Sequence, residues 1–180
     1  MKKTLAMILS LVLALTMCLS LTACGESGPK VVAEGVGHTE WGMVMDLLYQ
    51  EYSDGAVVVT MPCKYEGQAD SMVTFYGAVV KGKDADGDPV VTLTIDRAEM
   101  TGVFEEGQEV QTMDGSSWID EMEIITNTYD EKAGSYTIPF EFSLYGYTPL
   151  TANIDVTKTS SPSDPVEWAK QFVTIEYPAE

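Results

Sequence analysis

Residues 135–157 read SYTIPFEFSLYGYTPLTANIDVT. Tyr136, Ile138, Phe140, Phe142 and Leu144 alternate with Thr137, Pro139, Glu141 and Ser143, the period of a strand with one buried face. Gly146 to Pro149 break the run. Ala152, Ile154 and Val156 then alternate with Asn153, Asp155 and Thr157, so a second strand follows within a few residues. Such a pair needs an opposing apolar layer, and the rest of the chain supplies further short alternating segments. The pattern predicts an all-β protein, an antiparallel β-sandwich of about eight strands with one or two short helices.

Working outward, residues 77–96 read as a hairpin. Ala78 to Lys81 pair with Val90 to Asp96 across the turn Asp84 to Pro89, with Val91, Leu93 and Ile95 inward. Residues 56–65 form another strand, in which Pro62 calls for an edge position or a bulge. Weaker strands are expected near 102–113 and 120–129. Trp41, Val44, Met45, Leu48 and Tyr52 fit a helical stripe, so residues 30–52 are read as a strand or loop followed by a short helix. Asp164-Pro165-Val166-Glu167 offers an N-cap, a proline at the first helical position and an acid two residues further on. One helical turn through Lys170 follows, and Phe172 to Tyr177 are read as a closing strand with Val173, Ile175 and Tyr177 on one face.

The N-terminus reads as an address. Lys2 and Lys3 precede the apolar run Leu5 to Leu21, which ends in Leu21-Thr22-Ala23-Cys24. This ending resembles the lipobox of bacterial lipoproteins. The resemblance implies a signal peptide over 1–23 and acylation of Cys24; residues 24–30 then read as a tether, and 31–180 have the length of one domain. It also implies a lipid-anchored protein on the extracytoplasmic face of the cell membrane, since more than one acyl chain makes anchoring stable. The alternatives are an uncleaved membrane anchor and secretion with Cys24 unmodified.

Charge narrows the partners. The chain has 28 acidic and 10 basic residues; without Lys2 and Lys3 the balance is 28 against 8, a net charge of −20. Nucleic acid and anionic lipid head groups are repelled by such a surface, whereas cations and basic proteins are not. Removal of Cys18 and acylation of Cys24 leave Cys63, which continues the alternating run Val57, Val59, Met61 and is expected to be a buried, inert thiol.

No catalytic constellation stands out, and the protein is not expected to be an enzyme. His38 is the single histidine, which excludes a two-histidine zinc site. Asp84, Asp86 and Asp88 are the densest set of hard oxygen ligands, with calcium as the matching cation. Pro89 and Ile95 stand where an EF-hand loop has its glycine and its final glutamate, so that loop type is excluded. Without a ligand, the same stretch is an acidic, solvated hairpin turn.

From Asp54 onward, the order of segments resembles a NEAT domain, the immunoglobulin-like haem-binding module of Gram-positive surface proteins. Ser71-Met72-Val73-Thr74-Phe75-Tyr76 has the spacing of that family's lip above the haem. The hairpin 78–96 and the stretch Leu144 to Val156 are similar to its later strands. The resemblance implies an immunoglobulin-like sandwich and a small apolar ligand, with haem as the named candidate, held near Ser71, Met72, Tyr76, Glu167 and Gln171. The family's iron-binding tyrosine pair falls on Glu167 and Gln171 and is missing, so the resemblance leaves Met72 or Tyr76 as the candidate axial ligand. Two functions therefore stand side by side. One is an anchored module with a small-ligand cleft, and the other is a surface-protein interaction or envelope-structural domain without one.

Overall fold

In a computed structural model, the described residues are 28–40, 44–64, 70–103, 109–119, 122–142 and 150–175. The chain divides into Met1–Lys30 and Val31–Glu180, and the fold is that of the second unit. The leader, Cys24 and residues 143–149 lie outside the described residues. Among the described residues, no helix is long and apolar enough to cross a membrane.

The stretch at 135–157 folds as its alternation requires. Strand β8 (Tyr136–Phe142) and strand β9 (Leu150–Lys158) pair antiparallel, Ile138 opposite Ile154 and Phe140 opposite Ala152. Tyr136, Ile138, Phe140, Ala152, Ile154 and Val156 are all buried. The remaining strands are β1 (Val31–Glu40), β2 (Val44–Tyr52), β3 (Ala56–Cys63), β4 (Ser71–Lys83), β5 (Pro89–Gly102), β6 (Gln111–Asp114) and β7 (Met122–Thr126). Their order is β6-β5-β4-β3-β2-β1-β9-β8, with β7 also paired to β5. Most strands lie beside their sequence neighbours, a meander, whereas an immunoglobulin domain is connected as a Greek key.

This sheet folds onto itself to make the expected antiparallel sandwich. Phe75 of β4 meets Phe140 of β8 edge to face, ring centroids 5.7 Å apart, and Tyr49 of β2 meets Tyr136 of β8. Val57, Val59 and Met61 from β3, with Val91, Leu93 and Ile95 from β5, fill the same core. The strands cross closely where β1 meets β9. A Cβ on Gly35 would lie 2.4 Å from the Asp155 carbonyl oxygen, so only glycine fits. The β4–β5 hairpin has the predicted pairing, from Lys83 opposite Pro89 down to Ala78 opposite Thr94, with a bulge beyond Gly77. Pro62 lies past the last β2–β3 pair, Leu48 with Thr60, so its missing N–H leaves no gap in that ladder.

Two expectations are corrected. Residues 44–52 are strand β2 rather than a short helix, forming a hairpin with β1. The stripe misled because β2 is buried on both faces: Leu47 and Tyr49 face the core, while Leu48 and Gln50 are buried on the other face, where Gln50 meets the C-terminal segment. A strand apolar on both faces has no period of two to recognise. The predicted closing strand is not a strand over 172–175, and residues 176–177 lie outside the described residues. Val173 and Ile175 are nonetheless buried, packed with Met72 and Ala169 outside the sandwich core. The single turn before them is as predicted. Helix α1 (Pro165–Ala169) is capped by the Asp164 carboxylate, which accepts from the Val166 and Glu167 amides at 2.9 and 3.0 Å.

Candidate functional site

The residues expected to form a haem lip and floor lie on β4 and on the C-terminal segment that packs against it at Met72. Met72, 9% exposed, packs with Ala169, Val173 and Ile175, flanked by Val110 and Trp168. Ser71 begins β4 between Cys63 and Gly102. The Tyr76 hydroxyl donates to Glu99 Oε2 at 2.7 Å, and the Arg97 guanidinium lies 3.7 Å from the centre of its ring. Burial, with the Glu99 bond, pushes the Tyr76 phenol up to about 12. Glu167 and Gln171 are exposed, and Glu167 pairs with Lys170 three residues on. Trp168 leans on Phe172, with ring centroids 5.0 Å apart.

The C-terminal segment is tied down by polar contacts as well as apolar ones. Gln50 Nε2 donates to the Ser163 carbonyl at 2.8 Å, and the Ser163 amide donates to Glu34 Oε2 at 2.9 Å. At the far end, the Thr174 amide donates to Asp70 Oδ2 at 2.7 Å. Residues 163–175 therefore form a strap over the outer face of β2, β3 and β4.

Sequence reasoning missed a charged cluster at the edge of the sandwich core, in which Glu51 is buried and Lys81 reaches in from an exposed position. Lys81 Nζ donates to both oxygens of the Glu51 carboxylate at 2.7 and 2.8 Å. The Tyr136 hydroxyl donates to Glu51 Oε2 at 2.6 Å, so the Tyr49 hydroxyl, 3.0 Å away, donates to the Tyr136 oxygen. Lys81 also lies 5.1 Å from the Tyr136 ring centre and 5.7 Å from that of Tyr129. Burial, reinforced by Glu51, holds both the Tyr49 and the Tyr136 phenols in the protonated form far above the ordinary tyrosine range. A buried carboxylate is tolerable only with such partners. The signal was present: Glu51 continues the inward positions Leu47 and Tyr49, and Lys81 continues Phe75, Gly77 and Val79. It became legible only once β2 was known to be a strand.

Two smaller polar features lie apart from this cluster. His38 Nδ1 and Asp46 Oδ1 are 2.5 Å apart, and His38 borders a depression of about 150 Å³ with Pro139, Glu141 and Asn153. In the hairpin turn, Asp84 Oδ1 accepts from the Asp86 and Asp88 amides at 3.0 and 2.9 Å, so that carboxylate closes its own loop. Among the described residues, no three His, Cys, Asp or Glu side chains gather as a metal site. Cys63 is buried, as expected, and burial pushes its thiol up to about 12.

Family models, curated proteins and solved structures return no match to this chain.

Proposed function

We propose that this protein is a lipid-anchored domain on the extracytoplasmic face of the cell membrane that acts through its surfaces on another protein, as an interaction or envelope-structural module. The observation that carries this reading is the position of Met72. The lip that a haem-binding module would present to its ligand is covered by the protein's own strap, Ala169, Val173 and Ile175. The anchor rests on the lipobox-like Leu21-Thr22-Ala23-Cys24.

Two measurements test the two halves of the reading. Cys24→Ala removes the only thiol that the lipobox presents for acylation. Membrane fractionation with metabolic lipid labelling is expected to find the variant unlabelled and released, and continued labelling would overturn the anchor. Haemin titrated into the full chain is expected to give the absorption spectrum of free haemin. A saturable, shifted Soret band that Met72→Ala abolishes would restore the haem-binding reading.

A further inference from the structure

The outer face of β4, β5 and β7 carries the two most exposed large apolar side chains of the described residues, Val80 at 65% and Ile125 at 63%. They are aligned. Val80 lies opposite Thr92, and Thr92 lies opposite Ile125, so all three point outward in one row across three strands. With neighbouring strands ~4.8 Å apart, the two aliphatic groups stand roughly 10 Å from each other on a sheet surface. The next rows continue the surface with Ala78 opposite Thr94 and Gly82 opposite Val90. Ala78, Thr94, Gly82 and Val90 are uncharged, and the Ala78–Thr94 row ends on β7 at the Glu123 carboxylate.

The charge is at the rim. The hairpin tip presents Asp84, Asp86 and Asp88, all exposed, and the opposite border presents Asp96 and Glu123, also exposed. Lys83 beside the tip and Arg97 beside Asp96 are basic residues of this border, and Arg97 is paired to Glu99. The strap that covers the outer face of β2, β3 and β4 near Met72 does not reach Val80 or Ile125, which remain exposed. A second copy of this chain would bring the same acidic rim against itself, a like-charge contact that opposes association.

Resting on the interaction-domain reading above, we infer that the β4–β5–β7 face is the docking surface, and that its partner is a protein segment presenting aliphatic side chains bordered by lysine or arginine. Val80 and Ile125 are the apolar centre, and the acidic rim supplies attraction and orientation. Small Ala, Gly and Thr side chains leave the face flat enough for an extended segment to lie across it.

The test uses the full chain in a non-ionic detergent and a short synthetic peptide of alternating valine and lysine. Matched valine–glutamate and serine–lysine peptides serve as controls. Amide NMR shifts are expected at Val80, Thr92 and Ile125, strongest with the valine–lysine peptide and weakened by salt. Ile125→Lys is expected to weaken binding roughly tenfold or more, the effect of losing a central anchor and adding a repelling charge. Thr157→Lys, on the exposed face of β9, is expected to leave it unchanged. Ile125→Ser repeats the test if the lysine variant loses its near-UV circular dichroism. Shifts elsewhere, equal binding of the valine–glutamate peptide, or no binding would overturn the inference. So would a concentration-dependent dimer abolished by Ile125→Lys, since the occupant would then be a second copy. None of these outcomes bears on membrane fractionation or haemin titration, so failure of this surface is separable from failure of the parent reading.

Discussion

Tyr136 is the residue at which the two layers of the sandwich exchange their polar contacts. It sits on β8, receives a hydrogen bond from Tyr49 on β2, and donates to Glu51, which is held by Lys81 on β4. Its phenol and that of Tyr49 are raised above their unfolded value of about 10. Above that pH the unfolded chain loses protons that the folded chain keeps, so folding is progressively disfavoured. Their contribution to stability is therefore complete below about pH 10 and is lost as pH rises towards the folded-state values, by up to about 1.4 kcal/mol per pH unit for each phenol. Cys63 adds a similar loss from about pH 8.5 upward, because its thiol is raised as well. Tyr136→Phe is expected to shrink the fall in urea midpoint between about pH 9 and pH 11, while lowering stability at neutral pH by about 1–3 kcal/mol through the bond lost to Glu51. An alkaline fall as steep as that of wild type would remove Tyr136 from this account.

At the scale of the element, β8 shows how alternation divides a strand. Phe140 is fully buried against Phe75, whereas Thr137 points outward and donates through its hydroxyl to Asp155. Phe140→Ala is expected to cost about 3–5 kcal/mol, from lost transfer energy and the cavity left behind. Thr137→Ala is expected to cost less than about 1 kcal/mol, because its contacts to Thr128 run through its backbone, which alanine keeps. Urea melts of the two variants compare these directly, and equal losses would contradict the burial pattern. The cap of α1 offers a further measurement. Asp164→Ala removes the acceptor for two amides and is expected to lower stability by about 1 kcal/mol in the same melts.

For the molecule as a whole, the two hydrophobic clusters make the strap a separable layer. The main core joins β1 to β5 with β8 and β9, while Met72, Ala169, Val173 and Ile175 form a second cluster outside it. Val173→Asp places a charge in that second cluster without touching the first. Hydrogen exchange is expected to show loss of protection in residues 163–175, with β8 and β9 still protected. Simultaneous loss in the strap and in β8 would mean that the two clusters unfold as one unit.

The alternating segments were legible without any structure, because a strand buried on one face writes its period directly into the sequence. This holds for β8, β9 and both arms of the β4–β5 hairpin. The same is true of the α1 cap, where Asp164, Pro165 and Glu167 carry local chemistry, and of the burial of Cys63. Strand β2 was not legible, since burial on both faces erases the alternation. On its second face, Gln50 meets a segment more than a hundred residues away, at Ser163. The Glu51–Lys81–Tyr136–Tyr49 cluster and the covering of Met72 were hidden for the same reason. Each joins residues from different strands, and only the order in which the sheet folds back on itself decides which side chains meet.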